Sequence, residues 1–113
     1  MSHYYLNDPN LKSEPKEINY NYRNFALSFR TDAGVFSKTR VDFGTHLLLQ
    51  NLPDALGKKR ILDLGCGYGI IGLSLAKAYP DSFITLVDVN QRALLLTRLN
   101  AENNQIENID IIE

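Results

Sequence analysis

The residues best suited to chemistry lie in one glycine-rich stretch, residues 60–72, with the sequence RILDLGCGYGIIG. A short apolar run ends near Asp63, glycine then occupies every second position from Gly65 to Gly69, and a segment of helical composition follows. Four of the seven glycines of the chain lie within positions 65–72, so chance clustering is a poor explanation. Glycine suits a backbone that lies against a ligand in conformations a Cβ forbids, beside the unpaired N–H groups of a helix start. The stretch predicts a strand, a tight turn and a helix that cradle a nucleotide-like cofactor.

Two carboxylates accompany this turn and bear on the kind of cofactor. Residues 67–72 fit the pattern G-x-G-x-x-G, and Asp88 follows Gly67 by 21 residues, close to the spacing of a carboxylate that binds an NAD ribose. Asp63, however, precedes Gly65 by two positions, where it would repel the pyrophosphate of a dinucleotide. The same carboxylate favours the ammonium and sulfonium groups of S-adenosylmethionine. The pattern therefore indicates S-adenosylmethionine, with a dinucleotide as the alternative.

The elements that position these residues follow from periodicity and capping signals. After a boundary at residues 53–59, strands are predicted over residues 60–64, over residues 83–87 and from residue 108, and helices over residues 70–79 and from the cap Asn90 to about residue 103. The second of these strands is a continuous apolar run of the kind buried on both faces of a parallel sheet. The order βαβαβ predicts a parallel sheet whose ligands bind beyond the carboxyl ends of the strands, where the glycine turn and Asp88 both lie.

The first half of the chain has a different organisation. Residues 1–17 contain two prolines and no periodicity, which predicts an extended N-terminal arm. From Ile18 to Phe29 apolar and polar residues alternate, interrupted at Arg23 and Asn24. This pattern predicts a β-hairpin with one buried face and a two-residue turn.

A further turn and a helix are predicted to follow the hairpin. The turn is assigned to residues 31–34, and the helix is capped near Asp42 and ends before Pro53. Three apolar side chains are predicted to share one side of this helix: Phe43, Leu47 and Leu48. We therefore divide the chain into the arm of residues 1–17, a hairpin and helix over residues 18–57, and a cofactor-binding part over residues 58–113.

Composition limits the classes of protein that fit. The 113 residues are 44% hydrophobic and 22% charged, which is typical of one soluble domain. No apolar run approaches the roughly 20 residues that span a membrane, and the N-terminus lacks a signal-peptide apolar region, so a cytoplasmic location is the default expectation. Cys66 is the single cysteine, and only His3 and His46 accompany it. Neither an internal disulfide nor a metal site is therefore indicated.

The net charge of −1 hides an uneven distribution. Residues 1–60 carry nine Lys/Arg against six Asp/Glu, and residues 61–113 carry three against seven. The basic excess concentrates in four residues: Arg23, Arg30, Lys38 and Arg40. Such a segment could meet a polyanion such as RNA, whereas scattered cations are more often a solvated face, and both interpretations remain open.

With these residues in view, the chain resembles the class I S-adenosylmethionine-dependent methyltransferases. Residues 63–69 are similar to motif I of that superfamily, and Asp88 matches the acidic residue that ends the second strand and binds the two ribose hydroxyls. Residues 32–37 and 41–49 are similar to the approach segment of the small-domain methyltransferases that modify guanine N2 of small-subunit ribosomal RNA. The resemblance covers nearly all of residues 3–113. It implies a Rossmann-like α/β fold, S-adenosylmethionine as cofactor, and ribosomal RNA or the small ribosomal subunit as partner.

The resemblance also implies a set of cofactor-binding residues. They are Asp63, Gly65, Cys66, Gly67, Gly69, Asp88 and Asn90. Asp63 and the glycines would lie near the methionine end and Asp88 on the ribose. Asn90 would lie near the adenine, although a helix cap explains it equally well, and the Cys66 side chain is expected only to pack.

The catalytic residues of such an enzyme are not found in this chain. The family transfers a methyl group in line from the sulfonium to an exocyclic amine, and relatives accept the amine protons with an Asn-Pro-Pro-aromatic segment after the fourth strand. None of the four prolines here, Pro9, Pro15, Pro53 and Pro80, is adjacent to another. Catalytic residues are therefore expected beyond Glu113, and the chain is expected to be the N-terminal part of a longer protein and inactive alone.

A chain that stops at its third parallel strand is also expected to expose an edge. In the family a further strand lies beside the first one, so residues 60–64 would keep an open edge and the isolated chain would be poorly soluble, molten or oligomeric. Three alternatives to the rRNA enzyme remain: a methyltransferase for protein glutamine or DNA adenine, an NAD-dependent oxidoreductase, and a non-catalytic cofactor- or RNA-binding remnant.

Overall fold

The computed structural model describes residues 13–32, 42–52 and 58–113. The elements are β1 (Pro15–Tyr22), β2 (Phe25–Asp32), α1 (Phe43–Gln50), β3 (Arg60–Leu64), α2 (Ile70–Ala78), β4 (Phe83–Val87), α3 (Gln91–Asn103) and β5 (Ile109–Ile112). β1 and β2 form an antiparallel hairpin, and β3, β4 and β5 form a parallel sheet in the order β3-β4-β5. The predicted α/β fold, a parallel βαβαβ unit preceded by a hairpin and a helix, is confirmed.

The hairpin turns at the two residues that the sequence indicates. Arg23 and Asn24 have φ values of 46° and 71°, as a two-residue turn that matches the twist of its strands requires. The strands are longer than the alternation predicts, because residues 15–17 already pair with residues 30–32. The turn predicted at residues 31–34 is therefore wrong for its first two residues, which are held in β2 by cross-strand pairing; the other two lie outside the described residues, as do residues 1–12 of the predicted arm.

The parallel sheet buries one of its faces. Ile84 and Leu86 are fully buried, and Leu86 packs directly beneath Gly72 of α2. On the opposite face Leu62 is 62% exposed and Phe83 is 40% exposed. The prediction that β4 is buried on both faces is wrong, because the described helices cover only the Ile84 side of this sheet.

The short helix α1 begins as predicted but presents a different face. The Asp42 carboxylate accepts the N–H of Thr45 at 2.8 Å and caps the helix. Leu49 is the side chain that α1 buries completely. The three apolar residues predicted to form its packing side are exposed by 76%, 49% and 49%: Phe43, Leu47 and Leu48. The periodicity identified the helix, but tertiary packing selected another face.

Aromatic side chains of the hairpin contact α1 and the glycine turn. The Tyr20 hydroxyl lies 3.0 Å from Nδ1 of His46, and the two rings meet edge to face, so His46 joins α1 to the hairpin. Phe29 of β2 contacts the ring of Tyr68 in the glycine turn. Among the described residues no helix is long and apolar enough to cross a membrane.

Candidate functional site

The glycine turn lies at the carboxyl ends of β3 and β4. Gly65, Gly67 and Gly69 have φ values of 73°, 59° and 98°, a region that side chains with a Cβ rarely adopt. The N–H groups of Gly65 and Cys66 both donate to the carbonyl of Val87, at 2.8 and 2.9 Å. The alternate glycines therefore let the backbone reverse direction sharply while it stays attached to the neighbouring strand.

Asp63 ends the buried side of β3 and points toward the start of α2. Its Oδ2 accepts the N–H of Gly72 at 3.0 Å, so the carboxylate satisfies a first-turn donor of a helix whose own cap, Gly69, has no side chain to do so. Its Oδ1 accepts no hydrogen bond from a described residue. Burial raises the pKa of Asp63, the Gly72 N–H lowers it, and the nearby Asp88 carboxylate raises it further. The two carboxylates thus repel one another across the turn, and a cationic ligand would relieve that repulsion.

Asp88 follows β4 directly and holds the opposite side of the turn. Its Oδ2 accepts the N–H of Gly67 at 2.9 Å, and its Oδ1 accepts the N–H of Asn90 at 2.9 Å. Each carboxylate oxygen has a further lone pair, so both can still accept from a ligand hydroxyl. Asp88 is half-buried at the sheet edge, where a ribose could reach it.

Asn90 caps α3, as its position in the sequence predicts. Its Oδ1 accepts the N–H groups of Arg92 and Ala93 at 2.9 and 3.2 Å. Its side chain is 2% exposed, and the buried Nδ2 has no hydrogen-bond partner within the described part of the chain. A buried amide donor without a partner is costly, and an acceptor on a ligand bound at this edge would satisfy it.

Cys66 supports the turn from behind. Its Sγ lies 3.7 Å from Oγ1 of Thr97 and its side chain is buried. Burial raises the pKa of the thiol to about 11, which leaves it protonated at neutral pH. Its assignment to the cofactor site stays a prediction, and the structure gives its side chain a packing role.

Sequence reasoning missed a row of polar residues on α3 that holds the turn in place. Thr97 Oγ1 donates to the Gly67 carbonyl at 2.8 Å, and Asn100 Nδ2 donates to the Tyr68 carbonyl at 2.8 Å. Asn104, which caps the carboxyl end of α3, pairs instead with both main-chain groups of Ser28 in β2. The available signal was three polar residues at helical spacing on a face that also carries buried alanine and leucine.

Of the four residues in which the basic excess concentrates, the structure describes two, Arg23 and Arg30. Arg23 lies over the rings of Tyr22 and Tyr79 and donates to the Leu52 carbonyl at 3.2 Å, so this cation holds the hairpin against the end of α2. The Arg30 side chain is exposed. The other two members, Lys38 and Arg40, lie outside the described residues.

The described residues contain no group of three or more His, Cys, Asp or Glu side chains arranged to hold a metal ion. The polar groups at the turn are instead two carboxylates, one buried amide and a row of backbone groups. This donor set suits an organic ligand that carries both positive charge and hydroxyl groups.

A comparison with protein families finds one match over most of the chain. The family model described as "Methyltransferase small domain" matches residues 26–113. This range contains the glycine turn, both carboxylates, all of β2 except its first residue, and every later element.

A curated relative and two solved structures show where the similarity extends. The uncharacterised protein YbxB of Bacillus subtilis (strain 168) is 45% identical over 111 residues, which cover 98% of this chain and 55% of the relative. The chain thus spans about half the length of that relative. The structure of M. jannaschii TYW2 in complex with AdoMet has a TM-score of 0.65 at 16% identity and covers 90% of this chain and 45% of that one. A putative SAM-dependent methyltransferase from Streptococcus mutans has a TM-score of 0.56 at 14% identity, over 89% of this chain and 27% of that one. At these identities the two structures demonstrate a shared fold.

Proposed function

The chain belongs to the methyltransferase small domain family of S-adenosylmethionine-dependent enzymes, and from this premise we propose that it binds the cofactor for methyl transfer to an exocyclic amine of guanine in small-subunit ribosomal RNA. The observation that carries the proposal is the pair of carboxylates at the carboxyl ends of two adjacent strands, Asp63 in β3 and Asp88 directly after β4. They are held on either side of a turn whose three glycines have positive φ values. Bound S-adenosylmethionine supplies an electrophilic methyl group on a sulfonium.

The residues of this chain would bind and orient that cofactor. Asp63 keeps one carboxylate oxygen available beyond its bond to Gly72, and a carboxylate partly removed from water attracts an ammonium or sulfonium strongly. Asp88 presents two oxygens to a ribose diol. Asn90 Nδ2 would donate to an acceptor on the base. Together these contacts would hold the methyl group in one orientation, which is the main contribution that positioning makes to a direct transfer.

The RNA part of the proposal rests on the approach segment, residues 32–37 and 41–49, and on the amine chemistry of the resembling enzymes. This chain has no Asn-Pro-Pro-aromatic segment, so it would supply the cofactor half of the site and not the groups that accept the amine protons. We accordingly expect cofactor binding, without methyl transfer, from these 113 residues.

Calorimetric titration tests the cofactor site. The chain should bind S-adenosylhomocysteine and not NAD, and Asp88→Asn should weaken that binding at least about tenfold, since a hydrogen bond to a charged group contributes about 1.5–3 kcal/mol. Asp110→Asn is the matched control, because Asp110 is an exposed carboxylate on β5 of the same sheet. NAD binding without a response to S-adenosylhomocysteine would contradict the proposal in favour of an oxidoreductase.

Methyl incorporation by the full-length protein tests the acceptor. Labelled S-adenosylmethionine is incubated with purified small-subunit RNA, and the RNA is digested to nucleosides. The expected product is N2-methylguanosine. Label in protein glutamine or in DNA adenine would replace the RNA proposal with one of those amino acceptors, and cofactor binding without any transfer would favour a binding remnant.

A further inference from the structure

Asn100 joins two parts of the protein that are far apart in the sequence. Its fully buried side chain accepts the Arg30 N–H at 2.7 Å and donates to the Arg30 carbonyl at 2.9 Å. The same Nδ2 donates to the Tyr68 carbonyl in the glycine turn at 2.8 Å. One amide thus uses both of its N–H donors on carbonyls from two segments, β2 and the turn.

These contacts determine how the turn is oriented. Two successive carbonyls of the turn, those of Gly67 and Tyr68, are directed at Thr97 and Asn100 of α3. Because the carbonyl and the N–H of a trans peptide point in opposite directions, the N–H groups of those two peptide units point away from α3. The second of these N–H groups, that of Gly69, donates to the Cys66 carbonyl at 3.0 Å within the turn. The side chains of Thr97 and Asn100 on α3 therefore fix the orientation of two successive peptide units of the turn.

We propose that Asn100 is a positioning residue for the cofactor turn, and that through this residue cofactor binding is coupled to the hairpin. The inference rests on the proposed binding of S-adenosylmethionine at the turn. A cofactor that orders the turn strengthens the bond between Asn100 and Tyr68 and restrains the amide that also pairs with Arg30. By linkage, a hairpin that is well paired with Asn100 raises cofactor affinity by the same factor.

The contacts of Asn100 need one acceptor and two N–H donors, which an amide has and a carboxylate lacks. An aspartate at position 100 can still accept the Arg30 N–H, but its ionised form has no N–H to give to the carbonyls of Arg30 and Tyr68. Asn100→Asp therefore removes the contact with the turn while it preserves one contact with β2. Asn100→Asp should therefore weaken cofactor binding by more than its loss of folding stability alone would explain.

Asn104 provides the matched control. It directly follows the last residue of α3, four residues after Asn100, and is 6% exposed. It pairs with the N–H and carbonyl of Ser28 at 3.1 and 2.8 Å. It has no hydrogen bond to the turn among the described residues. Asn104→Asp therefore loses the corresponding contact with β2 at similar burial, together with the bond from Nδ2 to the main-chain carbonyl of Asn100. Its effect measures the cost of losing two buried amide donor contacts without a contact to the turn.

The test combines calorimetric titration with S-adenosylhomocysteine and amide hydrogen exchange in both variants and in the wild type. Asn100→Asp should bind about tenfold more weakly than Asn104→Asp. In the wild type and in Asn104→Asp the ligand should slow exchange of the Arg30 N–H, and in Asn100→Asp this slowing should be lost. The coupling would be overturned if the two variants lost equal affinity. It would also be overturned if the ligand left hydrogen exchange in β2 of the wild type unchanged.

Two further measurements keep the proposal testable should Asn100→Asp fail to fold. The effect of the ligand on β2 exchange is measured in the wild type alone, and its absence overturns the coupling. Thr97→Val removes the anchor of the Gly67 carbonyl without touching β2, so it should weaken binding while β2 still responds to the ligand. A wild-type chain that does not bind S-adenosylhomocysteine at all would overturn the proposed function, and the inference with it.

Discussion

At the scale of single residues, the charge of Asp63 that would attract a cationic ligand also lowers the stability of the fold. Burial and the nearby Asp88 carboxylate disfavour its charged form and raise its pKa, although the Gly72 N–H offsets part of this effect. The folded state therefore binds a proton more readily than the unfolded state does. A carboxylate kept under such conditions is typical of a binding site, where charge serves the ligand and not the fold.

Asp63→Asn should stabilise the chain without ligand and weaken cofactor binding. Because the folded pKa is raised, the free energy of unfolding falls as pH rises from the unfolded value of about 3.9 through the folded pKa. Above the folded pKa of Asp63, the loss in the free energy of unfolding is complete. Asparagine keeps an acceptor for the Gly72 N–H and removes the cost, so denaturant titrations should show a gain at pH 7 that vanishes below about pH 4. Affinity for S-adenosylhomocysteine should fall in the same variant, and a loss of stability at pH 7 would contradict this account.

Cys66 should be a poor nucleophile despite its place in the turn. Its thiol is buried and has a pKa of about 11, mainly because burial disfavours the thiolate, which is the reactive form. We expect iodoacetamide at pH 8 to alkylate the folded chain at least about a hundredfold more slowly than the chain in denaturant, since each unit of pKa lowers the thiolate fraction about tenfold. Comparable rates would show that the turn opens readily.

At the scale of elements, the close approach of α2 to the sheet depends on Gly72. A Cβ at this position would lie 2.6 Å from Cδ2 of Leu86 and 3.0 Å from Oδ2 of Asp63. Leu86 is fully buried, so its side chain has no space into which to move. The helix itself would have to lift from β3 and β4.

Gly72→Ala should therefore lower the free energy of unfolding by about 1–3 kcal/mol, the usual cost of overpacking, against the gain in helix propensity that alanine normally brings. Gly44→Ala on α1 is the control, because among the described residues its Cβ would meet only the Asp42 side chain, at 3.3 Å. We expect that control to change stability by less than about 1 kcal/mol. Equal effects in urea titrations would show that α2 is not tightly seated.

The elements themselves could be predicted because their signals are local. The two-residue turn of the hairpin, the caps Asp42 and Asn90 and the apolar runs of β3 and β4 each appear within a few residues. Contacts across the chain could not be predicted in this way. The partner of Asn100 is 70 residues away at Arg30, and the length of β1 is set by pairing with β2.

The same distinction applies to the candidate site. The carboxylates and glycines were identifiable from spacing, and the structure places them together at one edge of the sheet. Thr97 and Asn100 on α3, which bind carbonyls of the turn, could not be identified in this way. In the sequence a buried threonine or asparagine resembles any other helical residue until its hydrogen-bond partners are known. Which face α1 buries was also beyond local reasoning, because that choice depends on neighbouring elements.

At the scale of the whole molecule, the described sheet carries an uncovered apolar face beside an edge strand. β3 lies at one edge of the order β3-β4-β5, and the register sets Leu62 and Leu64 on the same face as Val87. Leu62 and Leu64 are 62% and 75% exposed. An edge strand with exposed leucines presents both unpaired backbone groups and apolar surface to a second chain.

We therefore expect the 113-residue chain to self-associate in a concentration-dependent way during sedimentation. Leu62→Lys should reduce this association, because a lysine on an edge strand opposes pairing with another strand. Leu95→Lys is the matched control, since Leu95 is 64% exposed but lies on α3, away from the sheet edge. Equal effects of the two substitutions would attribute association to general surface hydrophobicity. A wild-type chain that stays monomeric and melts sharply and reversibly would show that the exposed edge and face are tolerated in water, and would contradict the expected self-association.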